Sequence, residues 1–283
     1  MRKCKNKNFN YALFGNPVNH SLSPEIHNFF AKQTGILHIY KAINIPLDRF
    51  SCVVSNFFEN NINGANITAP FKKEAYFFSN QLSERAQIAQ SVNTLKKVNN
   101  KYFLGDNTDG IGLISDLKRL KFIKKNFSIL ILGAGGAVQG ILLSILLFGC
   151  SVDILNRTDL NAVNLVNQFK KYGNIKIFQA NSLRNKYFDL VINGLSRNIE
   201  YQNIFIPSHL FSSKTFFYDM NYGLEKTSFL NWCEKINAKH VSDGIGMLVF
   251  QAAHSFLLWH GMLPEIDYII NFLSKKSFNI SSN

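Results

Sequence analysis

Short apolar runs alternate along the chain with longer segments in which apolar side chains recur every three or four residues. The short runs predict buried strands, and the longer segments predict amphipathic helices. In the first part of the chain we expect strands at 11–15, 38–45, 65–68, 92–95 and 102–105, and helices at 23–34, 47–60, 70–78 and 83–90. The last two strands would pair through a hairpin turn at Asn99 and Asn100.

The remainder of the chain continues the alternation. It predicts strands at 128–132, 152–155, 175–179, 189–193, 216–219 and 239–242. Helices are predicted at 109–120, 159–172, 226–237, 243–259 and 264–273, and a further helix runs from the glycine cluster after the strand at 128–132 to residue 148. This order predicts an α/β fold with two domains. The first is an α/β domain of residues 1–108, to which C-terminal helices of residues 244–283 return. The second is a Rossmann-type doubly wound domain of residues 109–243.

The size and composition fit two buried cores and exclude several classes of protein. The chain has 283 residues, of which 46% are hydrophobic, and this is too apolar for a disordered chain. No apolar run approaches the roughly 20 residues that span a bilayer, and the basic start lacks the apolar stretch of a signal peptide. The cysteines have no metal-ligand spacing, and they are Cys4, Cys52, Cys150 and Cys233. We therefore predict a reduced, cytoplasmic protein without a metal site.

The net charge of +13 raises the alternative of a nucleic-acid partner. The lysines are dispersed, however, and no basic helix face or nucleic-acid motif is present. Lysine, asparagine, isoleucine and phenylalanine are abundant together, and all have A/T-rich codons, so drift in an A/T-biased genome explains the charge. We expect no nucleic-acid or membrane partner, although a positive field would still favour anionic small molecules.

Two serines precede the first predicted helix. Ser23 before Pro24 is typical of a helix start, with serine as the N-cap and proline at the first helical position. One interpretation is that Ser21 and Ser23 only cap the helix. The other is an anion site, because two hydroxyls and free backbone amides meet at a helix N-terminus. The sequence does not choose between them.

A lysine and a carboxylate each follow a predicted strand at the point where a helix begins. Lys72 comes after the strand at 65–68, and Asp109 comes after the strand at 102–105. Side chains at such positions converge on a cleft in α/β proteins, and a lysine beside a carboxylate can hold and transfer a proton. We predict that Lys72 and Asp109 act together in a cleft between the two domains, whereas Lys73 is expected on a solvated helix face.

A glycine-rich turn follows the strand at 128–132. Gly133 and Gly135 allow a tight turn and a close approach of the backbone to phosphates, and the pyrophosphate would lie at the N-terminus of the next helix. The order of strand, glycines, helix and second strand predicts a dinucleotide site. Val138 departs from the fingerprint, because a small residue normally packs at this position.

The end of the second strand of this unit bears on the choice of dinucleotide. A free ribose 2′-hydroxyl requires an acidic residue there, whereas a 2′-phosphate requires a cation. Asp153 falls inside the strand, and Arg157 lies at its tip, flanked by Asn156 and Thr158. The sequence therefore favours NADP, with a surface role for Arg157 as the alternative.

Gln251 lies in the middle of the predicted helix at 243–259, among apolar residues. Such a glutamine is either a hydrogen-bonding core residue or a substrate contact, and the pattern does not separate the two. We keep it as a candidate for the substrate site.

A set of short motifs extends over nearly the full length of the chain. They are Gly15-Asn-Pro, Ser21-Leu-Ser-Pro, Gly64-Ala-Asn-Ile-Thr, Pro70-Phe-Lys72, Ala89-Gln-Ser-Val-Asn93-Thr-Leu, Gly105-Asp-Asn-Thr-Asp109-Gly, Gly133-Ala-Gly-Gly-Ala137, Asn156-Arg-Thr, Tyr218-Asp-Met-Asn-Tyr222, Asp243-Gly-Ile-Gly-Met-Leu and Gln251-Ala-Ala. Together they closely resemble the motifs of the NADP-dependent shikimate dehydrogenase family, and the combination is far more specific than any single motif.

The resemblance implies reversible hydride transfer between NADP(H) and shikimate, whose oxidised partner is 3-dehydroshikimate, in the biosynthesis of chorismate and aromatic amino acids. It implies that Lys72 is the acid/base residue, paired with Asp109. The implied substrate-binding residues are Ser21 and Ser23 for the carboxylate, Tyr222 near it, and Asn66, Thr68, Asn93, Asp109 and Gln251 for the ring hydroxyls. The implied cofactor-binding residues are Gly133, Ala134, Gly135, Gly136, Ala137, Asn156, Arg157, Thr158 and Asn161, with Glu84, Met220 and Gly244 on the cofactor side of the cleft. Residues 109–243 would then bind NADP, and the other domain would bind the substrate.

The chain departs from the family pattern on the cofactor side. Gln139 and Asn161 occupy positions where arginine is common, and Leu195-Ser196 replace a small residue followed by Thr-Ser. We expect a weakened site that still prefers NADP, because Arg157 remains.

Three alternatives compete with this interpretation. An NAD-dependent quinate/shikimate dehydrogenase is disfavoured by Arg157, and a catalytically silent relative is disfavoured by the presence of both Lys72 and Asp109. A nucleic-acid-binding protein has only the charge in its favour. The sequence leaves open the use of quinate, the extent of domain closure and the oligomeric state, for which a homodimer is one option.

Overall fold

The computed structural model describes residues 10–59, 62–99, 102–179, 187–196, 206, 208–223 and 225–280. As far as it is described, the chain divides into two compact units. The first comprises Met1–Thr108 with Gln251–Ile269, and the second comprises Asp109–Phe250 with Ile270–Asn283. The boundaries and roles of the predicted functional domains stay a prediction, because compactness alone does not test them.

The first unit alternates strands and helices and ends in a strand pair. Its elements are β1 (Tyr11–Gly15), α1 (Ser23–Thr34), β2 (Tyr40–Asn44), α2 (Phe50–Glu59), β3 (Gly64–Ile67), α3 (Lys72–Phe78), β4 (Gln81–Leu82), α4 (Glu84–Ala89), β5 (Thr94–Lys97) and β6 (Phe103–Asp106). Gly35 ends α1 where predicted, since its φ of 69° lies in the left-handed region that suits glycine.

The sheet of the first unit is mixed. Among the described residues its strand order is β2-β1-β3-β5-β6-β4, and β5 runs antiparallel to β3 and β6. The pairing of β5 with β6 confirms the predicted hairpin, whose turn residue Asn100 lies outside the described residues. Phenylalanines fill much of the core beneath this sheet, and the rings of Phe50 and Phe71 stack with their centroids 5.3 Å apart.

The second unit carries the longer run of parallel strands. Its elements are α5 (Asp109–Arg119), β7 (Ser128–Leu132), α6 (Gly136–Leu147), β8 (Ser151–Leu155), α7 (Asp159–Phe169), β9 (Ile175–Ile177), β10 (Leu190–Asn193), β11 (Phe216–Asp219), α8 (Ser228–Lys235) and β12 (His240–Ser242). Two further helices, α9 (Ile245–His260) and α10 (Asp267–Ile280), each cross the boundary between the units in the sequence.

The sheet of the second unit has the strand order β12-β11-β10-β7-β8-β9 over the described residues, and every neighbouring pair is parallel. This is the order of a Rossmann fold, and the strand order reverses between β7 and β10. Ligands of such sheets bind outside the carboxyl ends of the strands at this reversal. The predicted fold class is therefore confirmed.

Some predicted boundaries are wrong. The helix expected at 226–237 begins only at Ser228, because Thr227 is its N-cap and accepts a hydrogen bond from the N–H of Leu230. The helix expected at 264–273 runs instead from Asp267 to Ile280. Helix α1 starts with Ser23 already inside it, because Leu22 has a helical backbone and occupies the cap position.

Candidate active site

Lys72 is the first residue of α3, shortly after β3 ends at Ile67. The connecting turn is closed by the N–H of Phe71, which donates to the carbonyl of Thr68 at 3.0 Å. The carbonyl of Lys72 in turn accepts from the N–H of Val92 at 3.0 Å. Lys72 is half-buried, whereas Lys73 is exposed as predicted. The Lys72 backbone is thus fixed on both sides of the turn.

Thr68 is held in place by a close approach between two turns. A Cβ atom on Gly15 would lie only 2.3 Å from Cγ2 of Thr68 and 2.6 Å from Cγ1 of Val18. The N–H of Thr68 donates to the carbonyl of Phe14 at 2.8 Å. Only glycine allows this approach, so Gly15 fixes Thr68 at the start of the turn that leads to Lys72.

Ser21 and Ser23 form a pair of hydroxyl groups before α1. The Ser21 hydroxyl donates to the Ser23 hydroxyl at 3.1 Å and accepts from the Ser23 N–H at 3.2 Å. The predicted role of Ser23 as the N-cap is wrong, since Leu22 occupies the cap position and makes no side-chain cap bond. The anion-binding interpretation stays a prediction.

Asn66 is buried in a network of hydrogen bonds. Its side-chain oxygen accepts from the Tyr40 hydroxyl at 2.8 Å. Its amide nitrogen contacts the Ser255 hydroxyl at 2.9 Å and the Thr94 hydroxyl at 3.1 Å. These partners fix the orientation of the Asn66 amide at the end of β3.

Asn93 lies beside this network and is also buried. Its side-chain oxygen accepts from the N–H of Thr108 at 2.9 Å, and its nitrogen donates to the Thr108 hydroxyl at 2.9 Å. The same nitrogen lies 3.4 Å from the side-chain oxygen of Gln251. Both interpretations of Gln251 are therefore compatible with its position, since it touches the buried network and is itself half-buried.

Ser255 is a central residue that the sequence analysis missed. Its fully buried hydroxyl contacts Thr94 at 2.8 Å and Thr108 at 3.2 Å, besides Asn66. It also donates to the carbonyl of Gln251, one turn earlier in α9, at 3.0 Å. The spacing of four residues from Gln251 was the available signal, because such residues share a helix face.

Three histidines of the first unit form a hydrogen-bonded chain. A nitrogen of His38 lies 2.9 Å from one of His260, and its other nitrogen lies 3.1 Å from one of His27. The His27 ring stacks on Tyr40 with centroids 4.1 Å apart. Burial, followed by the charges of neighbouring rings, lowers the pKa of His38 to about 3 and lowers the pKa of His27 well below its usual range. Both rings are neutral at neutral pH.

An ion pair between half-buried Arg85 and buried Asp106 closes the end of β6. Nε and Nη2 of Arg85 donate to the carboxylate of Asp106 at 2.7 and 2.5 Å, and the Ser83 hydroxyl donates at 2.5 Å. Burial alone would raise the pKa of Asp106, but the hydrogen bonds and charge of Arg85 outweigh it and hold that pKa below its usual range. The pair anchors the loop that leads to Thr108. Glu84 is exposed at the start of α4 in the same unit.

In the second unit, a glycine turn connects β7 to α6. Gly133 has a φ of +103°, which favours glycine. A Cβ atom on either Gly135 or Gly136 would meet nothing within 4 Å, so the space in front of the helix is open. No side chain caps α6. Its first N–H groups therefore face an open space that suits a phosphate, and the residues from Gly133 to Ala137 fit the pyrophosphate of a dinucleotide.

The tip of β8 carries the predicted cation. Arg157 is exposed, and the side chain of Asn156 folds back to donate to the carbonyl of Thr158 at 2.9 Å. Thr158 occupies the N-cap position of α7, and Asn161 is exposed in the first turn of that helix. Asn156, Arg157 and Thr158 are consecutive after the strand, and Asn161 follows in the first turn of the helix. Their role toward a 2′-phosphate stays a prediction.

The other candidates of this unit lie where a helix begins or where a strand has just ended. Asp109 is buried as the first residue of α5. Met220 and Tyr222 follow β11. A Cβ atom on Gly244 would lie 2.5 Å from the carbonyl oxygen of Met220, so only glycine lets the start of α9 approach the loop after β11 this closely.

The described residues contain no cluster of histidine, cysteine, aspartate or glutamate that could hold a metal ion. Within the same part of the chain, no helix combines the length and apolar character needed to cross a membrane.

Comparison with known proteins gives concordant results. The family model of the shikimate dehydrogenase substrate binding domain matches residues 13–95. The shikimate dehydrogenase (NADP(+)) of Buchnera aphidicola subsp. Schizaphis graminum is 69% identical over 273 residues, which cover 96% of this chain and 100% of the relative. The chain belongs to the shikimate dehydrogenase family.

Solved structures share the fold of this chain. An Ael1 enzyme from Pseudomonas putida is 35% identical with a TM-score of 0.83, and the match covers 94% of this chain and 98% of the other. The shikimate 5-dehydrogenase from Thermus thermophilus, solved in complex with NADP(H) and shikimate, is 28% identical with a TM-score of 0.81 and coverage of 96% and 99%.

The predicted site residues fall into two groups by unit. The first unit contains most of the substrate candidates and one cofactor candidate, namely Ser21, Ser23, Asn66, Thr68, Lys72, Asn93, Gln251 and Glu84. The second unit contains the glycine turn, the strand tip after β8, and Asp109, Met220, Tyr222 and Gly244. Apart from Gln251, which lies within α9, the candidates gather near the ends of strands and the starts of helices.

Proposed function

We propose that the protein catalyses the reversible, NADP-dependent interconversion of shikimate and 3-dehydroshikimate in the shikimate pathway. The observation that carries the proposal is the 69% identity, over nearly the whole chain, to a relative named shikimate dehydrogenase (NADP(+)). The structure of a family member in complex with NADP(H) and shikimate supports the same pair of ligands. The protein is therefore an oxidoreductase that acts on a CH–OH group.

The substrate would be held mainly by polar groups of the first unit. The hydroxyl pair of Ser21 and Ser23 would receive the carboxylate, with Tyr222 near it. The ring hydroxyls would be contacted by the amides and hydroxyls of Asn66, Thr68, Asn93 and Gln251, together with Asp109. The network around Ser255 supports this assignment because it fixes the amides of Asn66 and Asn93 before a ligand arrives.

Lys72 would exchange the proton of the reacting hydroxyl. Loss of hydride from a carbinol carbon leaves charge on the oxygen unless a proton departs as well, so a positioned base is required. Lys72 takes that proton during oxidation of shikimate and returns it during reduction, and Asp109 orients the hydroxyl and the ammonium group. Such a group typically contributes about 10²–10⁴ in rate.

The cofactor would be held by the second unit. Gly133, Ala134, Gly135, Gly136 and Ala137 would surround the pyrophosphate, for which the open space in front of α6 provides room. Asn156, Arg157, Thr158 and Asn161 would receive the ribose 2′-phosphate, and Met220, Gly244 and Glu84 would line the cofactor side. When bound, NADP supplies or accepts the hydride. In this assignment residues 109–243 form the NADP-binding domain, and residues 1–108 with 244–283 form the substrate domain.

The test is absorbance at the nicotinamide band with purified protein, shikimate, and NADP⁺ or NAD⁺ in parallel. We expect reduction of NADP⁺ that depends on shikimate, and slower reduction of NAD⁺ at equal concentration. Folded protein that reduces neither cofactor would refute the proposal. Equal rates and affinities with both cofactors would keep the reaction but remove the assigned preference for NADP.

A further inference from the structure

Three loops of the second unit begin at the carboxyl ends of neighbouring parallel strands, β10, β11 and β12. In a parallel sheet these ends share one edge with the glycine turn after β7. The loop after β10 forms a wall of that turn. A Cβ atom on Gly133 would lie 3.2 Å from Cδ2 of Leu195 and 3.1 Å from the carbonyl group of Gly194.

Asn221 connects all three loops. Its side-chain nitrogen donates to the carbonyl of Leu195 in the loop after β10, at 2.9 Å. Its carbonyl accepts from the N–H of Gly244, at the start of α9 after β12, at 3.0 Å. Asn221 itself lies in the loop after β11, between Met220 and Tyr222.

Asp219 connects this group to the sheet. Its carboxylate is fully buried at the end of β11 and accepts from the backbone N–H of Asn221 at 3.0 Å and from its side-chain nitrogen at 2.9 Å. The side chain of Asn193, at the end of β10, donates to the same oxygen at 2.7 Å, and the Thr227 hydroxyl donates to the other oxygen. Burial raises the pKa of Asp219, and these donors oppose that rise. Asn221 is therefore anchored to the strands themselves.

We propose that the side chain of Asn221 is a positioning residue for the dinucleotide site, because it holds the Leu195 loop against the glycine turn. The inference rests on the proposed binding of NADP to this turn. The side chain of Asn221 acts only through Leu195 and Asp219. The hydrogen bond from Asn221 to Leu195 also explains how the start of the loop after β10 is fixed in a chain where Leu195-Ser196 depart from the family pattern.

The backbone contacts of Asn221 do not depend on its side chain. Replacing Asn221 by alanine keeps the bonds of its N–H to Asp219 and of its carbonyl to Gly244, so Met220 and Tyr222 stay in place. Only the bonds of the side-chain amide to Leu195 and Asp219 are lost. The expected effect is therefore confined to the cofactor, and the substrate site serves as an internal reference.

The experiment measures the Kd of NADP⁺ by calorimetry, and the KM values of NADP⁺ and shikimate, for wild type, Asn221→Ala and Asn221→Leu. The leucine variant keeps the approximate size of the side chain, lacks its N–H donors and places no second charge beside the carboxylate of Asp219. Asn231→Ala is the control, because Asn231 is exposed on α8. We expect Kd and KM of NADP⁺ to rise about three- to tenfold in both variants, as for the loss of one or two hydrogen bonds, with the KM of shikimate changed less than about twofold.

Far-UV circular dichroism checks that each variant is folded, and the leucine variant carries the test if the alanine variant is not. Unchanged NADP⁺ affinity in a folded Asn221 variant, beside a wild type that binds NADP⁺, would overturn the inference alone. An equal rise in the KM of shikimate would also overturn it, since the role would then be general to the fold. A wild type that does not bind NADP⁺ would overturn the proposed function and this inference together.

Discussion

Val138 and Gly194 are packed so closely that a Cβ atom on Gly194 would lie 2.3 Å from Cγ2 of Val138. Val138 is fully buried in the first turn of α6, and Gly194 directly follows β10. A small residue normally allows this helix to approach its sheet. Here the residue of the helix is the larger Val138, and the small residue is Gly194 in the loop after β10. The absence of a side chain at Gly194 leaves the space that Val138 fills.

We predict that Gly194→Ala destabilises the protein by about 1–3 kcal/mol, as overpacking of a filled core does. The measurement is urea unfolding. Val138→Ala is expected to cost about 1 kcal/mol or more for the lost methyl groups. In the double variant the methyl group added at position 194 occupies space that the shortened side chain at position 138 has vacated. The loss of stability is therefore expected to be smaller than the sum of the single losses. Simple additivity would show that the two side chains do not compete.

Lys72→Ala should lower kcat by about 10²–10⁴, because a positioned acid/base group contributes that much. The affinity for NADP⁺ should be nearly unchanged, since Lys72 is assigned to the hydroxyl of the substrate. Lys73→Ala is the matched control, because Lys73 is the next residue of α3 but is exposed. Stopped-flow absorbance at the nicotinamide band and a separate NADP⁺ titration measure the two quantities. A comparable loss of NADP⁺ binding would mean that Lys72 has a structural role.

Arg157→Asp should weaken NADP⁺ by about 1–3 kcal/mol, as for hydrogen bonds to a charged group, and should leave NAD⁺ much less affected. The reason is that only NADP⁺ carries the 2′-phosphate assigned to this strand tip. Lys214→Asp makes the same change of charge at another exposed position of the second unit, and it measures the contribution of the general field. If the NADP/NAD ratio of Kd values is the same in Arg157→Asp as in wild type, Arg157 is a surface residue.

The features that could be predicted from the sequence are local ones. The order of strands and helices followed from the spacing of apolar residues, and the turn at Gly133 followed from glycines between a strand and a helix. The exposure of Lys73 next to half-buried Lys72 followed from helical position. Each of these depends on residues within one or two turns of each other, which is the range over which backbone geometry and helix capping act.

The features that were missed depend on contacts between distant parts of the chain. Val138 departs from the small residue of the fingerprint, and only its contact with Gly194, distant in sequence, explains how it is accommodated. The partners of Asn66 come from β2, from β5 and from α9, so no local pattern reveals that Tyr40 and Ser255 fix its amide. The prediction of Ser23 as the N-cap was wrong for a local reason, not because of a distant contact. Leu22 already had a helical backbone, and a preference of residue type does not reveal this one-residue shift.

The neutral histidine chain predicts a loss of stability in acid. His38 is 2% exposed, and its pKa is lowered to about 3, chiefly by burial and then by the charge of His260. In the unfolded chain its pKa is about 6.5. Between these values the unfolded state binds a proton that the folded state does not, so stability rises with pH. The contribution of His38 to the free energy of unfolding is fully present above about pH 6.5. It decreases as the pH falls toward 3, and at pH 5 it has fallen by about 2 kcal/mol.

Urea unfolding at pH values from about 7 to 5 measures this slope. His38→Gln should be less stable than wild type at pH 7, because it loses the contacts to His27 and His260. Its stability should fall less steeply with decreasing pH, by up to about 1.4 kcal/mol per pH unit. His20→Gln is the control, since it makes the same replacement at an exposed position. Parallel curves for wild type and His38→Gln would show that His38 is not the group whose protonation opposes folding.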